Sequence, residues 1–175
     1  MLCKTQNYKI MDRQRHRLET SLSDLKNLEN LKAAFNFWVD GTYQEKISLT
    51  IKLISGADKK TPIPVLGLKA FSDFIGSYKF QPEEIYILGA QQENGKAIFN
   101  ESFLNYLQRI SFKIDLQAIE EGQSVHVGET VATIIGSKIQ LKIIENALID
   151  ILTEQTLANF QSVEKQQFGF ELKNI

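Results

Sequence analysis

Residues 120–160 read EEGQSVHVGETVATIIGSKIQLKIIENALIDILTEQTLANF, and a change of hydrophobic period inside this stretch decides the fold class. Its first part is punctuated by Glu121-Gly122 and Val127-Gly128, which supply turns between short runs rich in valine and isoleucine. Val131, Ala132, Ile134 and Ile135, followed by Ile139, Leu141 and Ile143, read as two strands around a turn at Gly136. From Ile144 to Phe160 the apolar residues Ile144, Ala147, Leu148, Ile151, Leu152, Leu157 and Ala158 recur at helical spacing instead, with Glu145, Asn146, Asp150, Glu154 and Gln155 between them. A small β unit running straight into a helix predicts an α+β domain.

Working toward the amino terminus, Phe112, Ile114, Leu116 and Ala118 alternate and extend the β unit, whereas helical spacing dominates before them. Leu25, Leu28, Leu31, Ala34, Phe35 and Trp38 share one face of a helix from about Leu22 to Val39, capped by Ser21 or Ser23 and stopped by Gly41. Ile47, Leu49, Ile51 and Leu53 then alternate with Ser48, Thr50 and Lys52, the pattern of a half-buried strand between Tyr43 and Ile54. Gly56 to Pro64 has loop chemistry. Val65 to Tyr78 returns to helical spacing through Leu66, Leu68, Phe71, Phe74 and Ile75, and Pro82 suits the first turn of a further short helix. Asn94-Gly95 marks a loop, and Glu101 to Arg109 places Phe103, Leu104, Tyr106 and Leu107 on an amphipathic helix. No internal repeat or low-complexity linker divides the chain. The organisation expected is a flexible basic amino terminus over residues 1–20, one domain over 21–161, and a tail over 162–175.

The 175 residues suffice for one domain with a real core and fall short of a two-domain enzyme of about 350. With 43% hydrophobic and 23% charged residues the chain is too apolar for intrinsic disorder, and a net charge of -1 gives no overall field to draw it to nucleic acid or an anionic membrane. The cluster Lys4, Lys9, Arg13, Arg15, His16 and Arg17 is the one basic exception, and it reads as a solvated terminus, so a nucleic-acid partner is not expected. Cys3 is the single cysteine, which excludes an internal disulfide and a thiol zinc site. No apolar run reaches the roughly 18 residues that span a bilayer, and no signal peptide is apparent, so a cytoplasmic protein with no membrane partner is expected. His16 and His126 lack a partner pattern for a base, a nucleophile or a metal ligand, and no phosphate-cradling glycine loop is recognisable.

The glycine-punctuated β unit at Gly122, Val125, Val127, Gly128, Glu129, Val131 and Ile134 resembles a biotinyl or lipoyl carrier half. Lys138 and Lys142 are the only lysines there, however, and neither is flanked as a carrier lysine is. It also resembles the amino-terminal domain of the nicotinate and quinolinate phosphoribosyltransferases, and here further motifs follow in order. Phe37, Trp38 and Gly41 look like the aromatic pair and glycine that end the family's first helix. Gly67-Leu68 is similar to its Gly-Leu helix, Phe103, Leu104, Tyr106 and Leu107 to its Phe-Leu-x-Tyr-Leu segment, and Glu121-Gly122 to its Glu-Gly turn. Ile144-Glu145-Asn146 and Gln155-Thr156-Leu157 echo its Leu-Glu-Thr and Gln-Thr-Leu within one helix. The resemblance spans about residues 25–161.

The resemblance implies a single domain of helices packed on a small sandwich-like or barrel-like β unit, as at the amino terminus of type II phosphoribosyltransferases. It implies a role in NAD salvage, where nicotinate and phosphoribosyl pyrophosphate give nicotinate mononucleotide with ATP hydrolysis and magnesium. Those ligands belong to the family's barrel domain, so this chain is expected to bind no cofactor and to have no catalytic residue of its own. It would be incomplete or split, closing over the barrel of a homologue or of a separate half in an oligomer. Gln155 and Thr156 would then face the active-site cleft, with Glu145 holding the helix in place. Glu29 stands where the family offers a tyrosine, Ile54 where it has an arginine, and Gln161 near the place of a lysine. These three departures bear on whether substrate contacts survive, and the alternative they leave open is a non-catalytic binding module that retains the fold.

Overall fold

The computed structural model describes residues 28–55, 61–159 and 168–174. In chain order these form α1 (Leu28–Val39), β1 (Lys46–Ser55), β2 (Ile63–Pro64), α2 (Leu68–Ser77), α3 (Pro82–Gly89), β3 (Gln92–Glu93), β4 (Lys96–Ala97), α4 (Glu101–Arg109), β5 (Asp115–Ala118), β6 (Ser124–Val125), β7 (Thr130–Ser137), α5 (Lys138–Ala158) and β8 (Phe168–Asn174). The fold is α+β. A four-stranded sheet in the order β5-β7-β1-β8 is antiparallel at every junction. The pairs β2-β6 and β3-β4 are separate two-stranded ribbons.

Local chemistry accounts for several element ends. Gly41, at φ 73°, follows α1 in the left-handed region that suits glycine. Pro82 opens α3 behind a capping box in which the Gln81 N–H donates to Glu84 Oε2 at 2.6 Å. The Asn100 side chain accepts from the Phe103 N–H at 2.9 Å, so α4 starts and stops where its amphipathic pattern does. Asn94 and Gly95, at φ 52° and 75°, make the tight turn between β3 and β4. The expected basic terminus, with Cys3 and His16, lies outside the described residues.

The long helix α5 organises the core. It packs against α1, α2, β7 and β8, and Ile139, Leu141, Ile143, Ile144, Leu148 and Leu152 are all buried along it. This corrects the expectation of a second strand through Ile139, Leu141 and Ile143. Gly136 lies inside β7 and is no turn; the helix begins two residues later. A helix covered on several sides loses its polar stripe, so its first turns imitate the alternation of a strand. Gly136 is needed for proximity, because a Cβ there would come within 3.1 Å of Leu141 Cδ2 and 3.3 Å of Ile114 Cγ1.

A second correction concerns the expected tail over 162–175. Residues 168–174 are β8, paired with β1 from Leu49↔Asn174 to Ser55↔Phe168. Phe170 is buried and Leu172 packs on the core. Burying these apolar groups and completing a ladder along β1 outweighs the freedom of a short terminal segment.

Candidate functional site

Three of the motifs read from the sequence, each more than thirty residues from the next, meet at the start of α2. Val65 and Leu66 bring the chain out of β2, and Gly67 turns it into the helix at φ 105°. The Glu121-Gly122 turn wraps this corner from one side. The Gly122 N–H donates to the Val65 carbonyl at 2.7 Å, and the Val65 N–H donates to the Gln123 carbonyl at 3.1 Å. The Glu121 carboxylate accepts from the Gly67 N–H at 2.7 Å and the Lys69 N–H at 3.0 Å. Glu121 thereby does from 54 residues away what a capping side chain does locally, placing negative charge on the positive end of α2.

From the other side α5 supplies Thr156, which is fully buried. Its Oγ1 accepts from the Leu66 N–H at 3.0 Å and donates to the Leu66 carbonyl at 3.1 Å. Both polar groups of one peptide residue outside regular structure are thus satisfied by one hydroxyl. Gly67 lies so close to α5 that a Cβ would stand 2.9 Å from the Ile151 carbonyl oxygen and 3.1 Å from Gln155 Cβ. The corner is a close-packed, hydrogen-bonded three-way joint.

The joint gives the sequence-predicted residues different standing. Gln155 is exposed beside Gly67, and its neighbour Leu157 keeps 48% of its surface in solvent. Thr156, expected to face a cleft, spends its hydroxyl on Leu66. Glu145 sits half-buried nearer the middle of α5 and pairs with Lys142 at 2.6 Å. Glu29 is exposed on α1 and pairs with Lys32, whose ammonium also reaches Glu93 at 3.0 Å in the β3-β4 ribbon. Hydrogen bonds to Glu93 first, then Glu29, hold the Lys32 pKa above its ordinary value. Ile54 is exposed near the end of β1. His126 is exposed, with its backbone N–H on Glu129. Gln161 falls outside the described residues. Sequence reading missed Glu121 as a capping group, since nothing in a Glu-Gly turn announces which distant amides it meets.

Among the described residues no group of three or more His, Cys, Asp or Glu side chains is placed to hold a metal ion, and no helix is long and apolar enough to cross a membrane. Replacing Glu121 by alanine is expected to cost about 1 kcal/mol, the usual value of a lost amino-terminal cap. Glu121→Gln should lose less, since an acceptor oxygen remains. Chemical denaturation of the two variants beside the parent checks this ordering, and equal stability of all three would refute the capping role.

The joint and the sheet beneath it define an α+β domain built around one long central helix. Its fold is shared with part of the crystal structure of human nicotinic acid phosphoribosyltransferase, at a TM-score of 0.65 and 14% identity over 74% of this chain. The chain spans only 26% of that enzyme's length. The structure of NadC from Streptococcus pyogenes also aligns, over 73% of this chain and 36% of that one at 15% identity, with a TM-score of 0.32. No protein-family model and no curated protein sequence matches the chain.

Proposed function

We propose that this chain serves as the amino-terminal domain of a nicotinate phosphoribosyltransferase-like assembly in cytoplasmic NAD salvage, closing over a catalytic barrel. The barrel would bind phosphoribosyl pyrophosphate, ATP and magnesium and would come from a homologue or a split half within an oligomer. The observation that carries this reading is the joint: Gly67-Leu68, Glu121-Gly122 and Gln155-Thr156-Leu157 converge on one corner of a fold shared with that enzyme. In this reading Gln155 and Leu157, exposed at the joint, meet the barrel, Thr156 sets the position of Gln155, and Glu145 steadies α5 through Lys142.

A second reading has its own support. The Thr156 hydroxyl is consumed within the domain, and Glu29 and Ile54 offer neither an aromatic ring nor a guanidinium to a substrate. Both favour a non-catalytic binding module that keeps the fold.

Size-exclusion chromatography with light scattering, followed by an assay for nicotinate mononucleotide, separates the two. The chain mixed with a separately expressed phosphoribosyltransferase barrel is expected to co-elute and to give product that neither component gives alone. A chain that stays monodisperse and adds no activity in the mixture overturns the enzymatic reading and leaves the module.

A further inference from the structure

At the far end of α5 from the joint lies a groove of about 480 Å³, between the start of β1, the end of α4 and the end of β7. Gln140 in the groove and Gln155 at the joint are separated by about 22 Å along α5, so this groove is distinct from the joint. Lys46, Arg109 and Lys113 line it together with one carboxylate, Asp115. Three cations against one anion gather here in a chain whose overall formal charge is -1. Among the described residues none of the three cations forms an ion pair, whereas Lys32, Lys138, Lys142 and Lys173 each hold a carboxylate.

The groove is also lined by aromatic rings. Tyr43 and Tyr106 line the groove with ring centroids 6.0 Å apart, and Trp38 backs both at 4.6 and 4.9 Å. Burial, partly offset by a hydrogen bond with Gln140, raises the Tyr106 pKa.

The groove is also held in shape. Gln140, in the first turn of α5, accepts from the Lys113 N–H at 3.0 Å and donates to the Ser111 carbonyl at 3.0 Å, which fixes the segment carrying Lys113. The first two N–H groups of α5 are already taken by the Glu45 and Tyr43 carbonyls. The helix end therefore contributes positive potential, and the donors for a ligand are side chains.

We propose that this groove binds a small organic phosphate, with the phosphate on Arg109, Lys113 and Lys46 and the ring or sugar body against Tyr43 and Tyr106. The volume suits a whole metabolite better than a bare phosphate ion, and a cluster of cations beside aromatic rings matches its two chemical halves. This site does not depend on the barrel reading and would persist if that reading failed.

The test is an amide-resolved NMR titration of the full chain with adenosine 5′-monophosphate, adenosine and inorganic phosphate as probes. The monophosphate is expected to move the signals of Ser111, Lys113, Ser137 and Gln140 with a Kd below about 1 mM. Phosphate alone should move the same signals more weakly, and adenosine at least about tenfold more weakly than the monophosphate. R109A and K113A should each weaken binding about tenfold, the scale of one charge-assisted hydrogen bond, and K96A should leave it unchanged. Spectra superimposable away from the groove establish that each variant is folded. Absence of shifts at about 10 mM monophosphate, equal weakening by K96A, or binding of single-stranded RNA without binding of the monophosphate would each overturn the proposal.

Discussion

Gly67→Ala is expected to destabilise the domain by about 3 kcal/mol or more, from backbone strain and overpacking together. The φ of 105° is costly for any residue with a Cβ, at about 1–3 kcal/mol. The new methyl would also stand 2.9 Å from the Ile151 carbonyl oxygen and 3.2 Å from Leu152 Cα, atoms of a buried helix backbone that cannot swing aside like a flexible side chain. Forcing α5 away from α2 adds about 1–3 kcal/mol. Gly122 supplies an internal comparison. It too has positive φ, at 80°, but the nearest atom to its missing Cβ is Leu66 Cδ2 at 3.9 Å. Gly122→Ala should therefore show the strain alone, about 1–2 kcal/mol. Urea unfolding of both variants measures the difference directly. Equal losses at the two glycines would mean that the close approach of α2 to α5 contributes nothing.

The contrast between those two glycines shows how far a sequence can be read. The sequence pattern places Gly67 inside a helix from Val65 to Tyr78 and a turn at Glu121-Gly122; the turn is there, but the helix begins only at Leu68, after Gly67. That the first glycine touches the helix 84 to 88 residues later could not be seen, because proximity across the fold leaves no local signature. The alternation of Ile47, Leu49, Ile51 and Leu53 located β1 because that strand has one face inward and one partly wet, which is the case in which period and burial coincide. The start of α5 failed for the converse reason. With α1, α2, β7 and β8 packed around it, apolar residues are tolerated at almost every position, and the sequence there carries length and hydrophobicity but no phase. For β8 the signal was present in the alternation of Phe168, Phe170 and Leu172. Its brevity and terminal position hid it, and only the pairing with β1 gives Phe170 and Leu172 a place against the core. The groove proposed for an organic phosphate was equally unreadable, since Lys46, Arg109 and Lys113 are unremarkable surface cations until the sheet and α4 bring them together.

Thr156 is where structural and functional roles can be told apart. Thr156→Val keeps shape and volume but removes the hydroxyl, leaving the Leu66 N–H and carbonyl without their partner. Each unmade bond costs about 1–3 kcal/mol when buried, and Leu66 is partly open to water, so a loss of about 2–4 kcal/mol is expected for the pair. Thr156→Ser retains the hydroxyl and deletes one buried methyl group, so its loss should be nearer 1 kcal/mol. Hydrogen exchange at the Leu66 amide gives a local readout: protection should collapse in Thr156→Val and survive in Thr156→Ser. If the hydroxyl instead served a bound substrate, Thr156→Val would abolish product formation in the reconstituted assembly while leaving stability and Leu66 protection intact. Loss of stability with loss of protection places the residue in the scaffold, and any activity of the assembly then depends on Thr156 only through the position it gives Gln155.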